Sequence, residues 1–176
     1  MEITGVMATD AGMFGLWSPA AFAYIVDYDT WESDLLKDDD ISRHITAGAF
    51  VPVNIGDDGA FQVLARVGSA SASADFTQRE RRFLLVSSEP YLFITDGNAR
   101  ISGIEHLGAR SDAGLHVPLP PGRWTVTIAL LEWDAEPGQM DADGQPARTA
   151  LPDFTLLINP AQAAGHYRTE IQTFDR

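Results

Sequence analysis

Apolar and polar residues alternate with a period of two over most of this chain, the pattern of strands that bury one face. In Trp124-Thr125-Val126-Thr127-Ile128-Ala129-Leu130, one face carries Trp124, Val126, Ile128 and Leu130 and the other Thr125, Thr127 and Ala129. The phase slips at Leu131-Glu132-Trp133, which places a bulge or the strand end there. Leu119-Pro120-Pro121-Gly122 stops the preceding run and turns the chain into this strand. Tyr91-Leu92-Phe93-Ile94-Thr95 is a strand, and Asp96-Gly97-Asn98-Ala99 predicts a hairpin turn into a second run from Arg100-Ile101. Val51, Val53 and Ile55 alternate before Gly56-Asp57-Asp58-Gly59, and Phe61, Val63, Ala65 and Val67 after it, predicting a second hairpin. Pro52 cannot donate to a ladder, so its strand belongs at an edge or carries a bulge.

The remaining pattern is shorter. Residues 3–8 and 13–17 read as two strands around Asp10-Ala11-Gly12, and Phe22, Tyr24 and Val26 resume the period of two after Ser18-Pro19. Asp29-Thr30-Trp31-Glu32 opens the best helix, with Asp29 or Thr30 as its cap and Glu32 and Asp34 in its first turn. Trp31 and Leu35 then face the domain at i, i+4 spacing. Asp38-Asp39-Asp40 either ends this helix or starts another turn through Ser42 and Arg43. The small-residue tract 68–74 reads as a flexible loop. Thr77-Gln78-Arg79-Glu80 has capping-box spacing for a single helical turn. Phe83-Leu84-Leu85-Val86 is a short buried strand, and Phe154-Thr155-Leu156-Leu157-Ile158 a late one stopped by Asn159-Pro160. Tyr167, Thr169, Ile171 and Thr173 mark a last strand, and 134–150 is a long acidic surface loop. Many short strands between regular turn signals predict a mainly β fold, an antiparallel β-sandwich with one or two short helices, forming one domain over 1–176.

Composition narrows the functions. With no cysteine, neither a disulfide framework nor a thiolate metal site can form. Met1-Glu2-Ile3-Thr4 lacks the basic and apolar stretches of a secretory signal, and the apolar run 20–26 is far below the roughly 20 residues of a membrane helix. A soluble, cytoplasmic protein with no membrane partner is expected. The formal charge of −13 argues against binding nucleic acid through phosphates and favours a basic protein partner. That charge is concentrated. Residues 27–40 carry Asp27, Asp29, Glu32, Asp34, Asp38, Asp39 and Asp40 against Lys37 alone. Residues 132–143 carry Glu132, Asp134, Glu136, Asp141 and Asp143 with no cation. Each segment holds one indole, Trp31 in the first and Trp133 in the second. Carboxylates framing an aromatic anchor suit electrostatic steering followed by burial of a hot spot. The candidate partner-binding residues are therefore Trp31, Glu32, Asp34, Asp38, Asp39, Asp40, Glu132, Trp133, Asp134 and Glu136.

Patterns for catalysis do not assemble. His44, His106, His116 and His166 include no close pair of the kind a metal site in a β-barrel uses. Asp141-Ala142-Asp143-Gly144 begins like a calcium loop, but the position of its closing Glu is Pro152. There is no Gly-x-Ser-x-Gly elbow, no His-Glu-x-x-His helix, no P-loop and no dinucleotide fingerprint. No catalytic residue, metal or cofactor is expected. The alternative is a sandwich that binds a small molecule or carbohydrate through exposed aromatics such as Trp17, Tyr24 or Tyr91.

The order of motifs resembles the ComJ (competence protein J) family and related bacterial immunity-type domains. The residues that carry the likeness are Asp29-Thr30-Trp31-Glu32, the strand pair within 47–67, and Glu89-Pro90-Tyr91-Leu92-Phe93-Ile94. Asp96-Gly97-Asn98, Ile101-Ser102-Gly103-Ile104 and the run from Val117-Pro118-Leu119-Pro120 to Gly122-Arg123-Trp124-Thr125-Val126 complete it, over roughly residues 14–134. The resemblance implies a β-sandwich that inhibits a nuclease. It carries no functional residue across.

Overall fold

Ten strands and three α-helices occur among residues 1–109, 111–162 and 165–175, which the computed structural model describes. In chain order they are β1 Glu2–Thr9, β2 Met13–Trp17, α1 Tyr28–Leu35, α2 Asp38–Thr46, β3 Phe50–Asn54, β4 Gly59–Val67 and α3 Gln78–Arg82. There follow β5 Leu84–Ser87, β6 Tyr91–Thr95, β7 Ala99–Gly103, β8 Leu115–Val117, β9 Gly122–Leu131 and β10 Phe154–Pro160. Sheet A runs β1-β4-β10-β9, and the far edge of β9 takes β6 along its first half and β5 along its second. Sheet B runs β3-β2-β7-β8, with β3 at an edge as Pro52 requires. The fold is mainly β and sandwich-like, as expected. It departs from a purely antiparallel arrangement at β10, which lies parallel to β4, and it has a third short helix.

Both expected hairpins are instead crossings between sheets. β3 pairs with β2 while β4 pairs with β1, and β6 pairs with β9 while β7 pairs with β2. The turns themselves form where the sequence places them. Gly97 takes φ +115°, and the Asp96 carboxylate accepts the Asn98 amide at 3.2 Å. Tight turn chemistry fixes the reversal of the chain and leaves the choice of pairing partner to long-range packing. Here Phe14, Leu16, Val51, Val53 and Ile101 from sheet B pack in one core with Val63, Ala65, Val126, Ile128, Leu156 and Ile158 from sheet A.

Two further segments differ from expectation. Residues 22–26 form no strand: Pro19 starts a 3-10 turn, Pro19–Phe22, that drops Phe22 into the core. Residues 167–173 are a clasp rather than a strand, because they span two sheets and can ladder with neither for long. The Arg168 amide donates to Pro90 O beside β6, the Phe174 amide to Asn54 O on β3, and the Phe174 ring packs edge-on against Phe154. The tract 68–74 is fastened at its end, since Asn159 accepts the Ala74 amide (2.6 Å) and donates to its carbonyl (3.0 Å). β9 stops at Leu131, where the phase slip predicted, and Trp133–Ala135 is a 3-10 turn. Beyond it Trp133 joins a second small core with Ala129, Leu131 and Leu151, backed by Phe76, Phe83 and Leu84.

Candidate functional site

The first acidic segment folds into two successive helices that pack on each other, the second of them beside β3 and β6. Helix α1 starts two residues earlier than the sequence suggested, because Asp27 rather than Asp29 or Thr30 is the cap. Its Oδ1 accepts the Thr30 amide at 2.9 Å, and Thr30 Oγ1 accepts the Asp27 amide in return. That start brings Tyr28 into the helix, three residues before Trp31 and on the same side of it. The two rings stack at 6.1 Å between centroids and 20° between planes. Trp31 is half-buried and fixed, its indole N–H donating to Ile104 O at 2.9 Å. Tyr28 is 65% exposed, and its hydroxyl donates to Glu32 at 3.3 Å. The Glu32 carboxylate raises the Tyr28 phenol above its ordinary value, so the ring stays neutral.

Opposite α1 lie residues 105–108 and 111–113, and between them and the helix runs a groove of about 540 Å³. Trp31 and Tyr28 form its aromatic wall, and Asp27, Glu105 and Asp112 bring carboxylates to it. Glu105 is held in place by the Thr9 hydroxyl and the Asp10 amide, both at 3.1 Å. His106 faces the same space, its Nε2 3.9 Å from Glu105. Arg110 belongs to this segment by sequence and lies outside the described residues.

The remaining candidates of the first segment surround this groove or continue onto α2. Glu32 and the first-turn acids Asp38 and Asp39 are exposed. Asp34 and Asp40 are half-buried and share Arg43, at 3.5 and 2.7 Å. Partial burial and the Asp34 carboxylate push the Tyr24 phenol up to about 12.

The second segment is a different environment. Trp133 is 7% exposed, with its indole N–H donating to Asp153 Oδ1 at 3.0 Å, so the indole expected as an anchor is core. Glu132 and Asp134 are exposed, but Glu136 is gripped by Arg79 through both carboxylate oxygens. Those bonds hold the Glu136 carboxyl below its usual range, with Arg82 adding to the effect. Counting along the chain found no cation in this segment. In space, α3 supplies one. The two segments also lie far apart. Gly48, just past α2, accepts the Ile94 amide; Ile94 pairs with Arg123, and the eight strand residues from there to Leu131, before Trp133, span about 26 Å.

The structure therefore unites Trp31, Glu32, Asp34, Asp38, Asp39 and Asp40 and separates them from Glu132, Trp133, Asp134 and Glu136. Tyr28, Glu105 and Asp112 were missed. The Asp27-x-x-Thr30 spacing could have placed Tyr28 in the helix, whereas nothing local links 104–113 to α1. Among the described residues no three His, Asp or Glu side chains are grouped as metal ligands. No described helix is long and apolar enough to cross a membrane. Trp17 and Tyr91, offered for a ligand-binding surface, are fully buried because each polar tip finds a partner inside. Trp17 donates to Ser102 Oγ at 2.9 Å and Tyr91 to Glu170 O at 3.0 Å. Tyr24 is 48% exposed.

Fold and groove together define a two-sheet, mainly β protein with an acidic aromatic cleft on its helical side. Two solved structures share this architecture. One is the crocagin biosynthetic gene J product, at TM-score 0.60 and 18% identity over 92% of this chain and 96% of that one. The other is ComJ from Bacillus subtilis, inhibitor of the DNA-degrading activity of NucA, at TM-score 0.52 and 10% identity over 90% of this chain and 96% of that one. The likeness extends well beyond residues 14–134. No family model matches the chain, and no curated protein sequence matches it.

Proposed function

We propose that this chain is a non-enzymatic, cytoplasmic binding module that captures a basic protein, with a DNA-degrading enzyme as the leading partner. The observation that carries this reading is the exposed Tyr28 ring, stacked on a fixed Trp31 at a groove walled by carboxylates. An aromatic anchor in an acidic surround gives a basic partner both a fast encounter and a site to bury. The ComJ fold adds support through that protein's action on NucA. The test is DNA digestion by NucA with increasing amounts of the chain. The expected result is stoichiometric inhibition that weakens in Tyr28→Ala. Undiminished digestion at large molar excess, with no complex on size-exclusion chromatography, would overturn the reading.

A second reading, a small-molecule-binding sandwich, rests on the groove's volume, which falls in the range of about 300–1,000 Å³ typical of ligand pockets. A thermal-shift screen over small ligands checks it: stabilisation lost in Tyr28→Ala favours this reading, and a flat screen removes it.

A further inference from the structure

His44 is half-buried, whereas His106, His116 and His166 are exposed. It lies in the last turn of α2, three residues after Ile41, and shares the inward face of that helix with Ile41 and Ile45. Its ring packs on Phe22, with 4.8 Å between centroids. Nε2 is shut off from solvent, and no described residue gives it a hydrogen-bond partner. A neutral imidazole can leave only a bare lone pair there. An imidazolium must put an N–H there, with no acceptor to meet it.

The surroundings of the ring decide between the two forms. Burial is the largest influence and disfavours the charged ring; Arg43 acts in the same direction, while Asp34 on α1 and Asp40 on α2 oppose both. Asp34 is shared, since it also faces Arg43 at 3.5 Å and accepts from the Tyr24 phenol. From β3 and β6, which pack on α2 as well, the titratable side chain is Tyr91, and its hydroxyl is engaged with Glu170 O. Glu170 stands with Thr169 across a shallow cleft on the side of α2 that carries Asp39 and Arg43. Burial wins, and His44 is held below the ordinary histidine value near 6.5. The helix depends on this packing. Its nine residues fall short of the roughly 12 that an isolated helix needs, and its N-cap, Lys37, makes no side-chain bond.

We propose that His44 is an acid-sensitive latch on α2: proton uptake at Nε2 drives the ring off Phe22 and frees the helix, with Asp38, Asp39 and Asp40, while the two sheets stay folded. The device belongs to the fold and holds whether or not the chain captures a basic partner. The open form binds more protons than the closed one. The latch is therefore fully closed above about pH 6.5 and opens as pH falls toward the lower closed-state value.

Amide hydrogen exchange of the full chain, corrected for the intrinsic rate at each pH, tests this. Between pH 7.5 and pH 5.5, protection at Ile41 and Ile45 should fall several-fold, up to the roughly tenfold gain in proton binding of a solvent-exposed imidazole. Protection at Val126 on β9 should fall less. His44→Phe keeps an aromatic ring on Phe22 and takes no proton, and His44→Leu repeats the test with a smaller apolar side chain. In both, the protection of α2 should stay constant over this range. In the wild type, ¹H–¹³C NMR of the imidazole should place the His44 midpoint below 6.5. A parallel fall at Ile41, Ile45 and Val126 means that the whole fold responds, and it overturns the latch. So does a loss in both variants as large as in the wild type, or a midpoint at or above the ordinary value.

Discussion

Glu80 shows how one side chain can hold three segments. It is 2% exposed at the start of α3, and its two oxygens take a bidentate contact from Arg66 on β4 at 2.8 and 2.9 Å. The Thr77 amide donates to the same carboxylate at 2.6 Å, and Arg66 also reaches Glu2 on β1. Burial alone would raise this carboxyl, but the guanidinium and the amide outweigh it and hold it below the usual glutamate range. Its stabilisation is therefore complete above the unfolded value near pH 4 and is lost as pH falls through the folded one. Glu80→Gln should cost about 3 kcal/mol at neutral pH, because it leaves a largely buried Arg66 short of a counter-charge. Urea midpoints read the loss, and the gap between wild type and variant should narrow below about pH 4. Trp133 makes the complementary case. Trp133→Ala should destabilise the fold by about 3 kcal/mol or more, as truncation of a packed indole does, whether or not a partner is present. Thermal unfolding of the isolated chain measures it, and a variant of unchanged stability would return Trp133 to the list of surface anchors.

At the scale of elements, α1 couples stability to the groove through its cap. Asp27→Ala removes the acceptor for the Thr30 amide and should cost about 1 kcal/mol, while Asp27→Asn removes the charge and keeps the cap acceptor. Chemical denaturation separates the two, with Asn close to wild type. The sequence revealed elements better than their neighbours. The face of β9, the edge position of β3, the α3 capping box and the end of β9 are written in adjacent residues, so spacing and turn chemistry recover them. Pairing is not local. Asp96-Gly97-Asn98 and Gly56-Asp57-Asp58-Gly59 make the turns they promise, yet β6 finds β9 and β7 finds β2 because the sandwich core needs them on opposite layers. For the same reason the groove was half legible. Trp31 and its acids announce themselves along α1, whereas Glu105 and Asp112 arrive through a fold contact 73 residues away, the bond from Trp31 to Ile104.

Over the whole molecule, the meaning of the −13 charge depends on where its counter-charges sit. The second acidic segment lies against α3, with its Arg79, Arg81 and Arg82, and Arg79 is tied to Glu136 at 2.6 Å. Among the described residues, the first has Arg43 and Lys37 against seven acids, a larger excess of negative charge. A basic partner is then steered to α1 and α2 rather than to the end of β9. Charge reversal at Asp38, Asp39 and Asp40 would blur this point, because all three sit in the first turn of α2, where the helix dipole favours them, and Asp40 holds Arg43. Neutralising Asp38 and Asp39 to Asn leaves that pair intact. The double variant should slow association with NucA several-fold at low salt, with the difference shrinking once the screening length falls to about 8 Å at physiological ionic strength. Glu132→Gln with Asp134→Asn removes the same formal charge from the other segment and should change the rate less. Stopped-flow association rates at several salt concentrations decide the matter: equal slowing by the two pairs would mean that total charge, and not its placement on α1 and α2, guides the encounter.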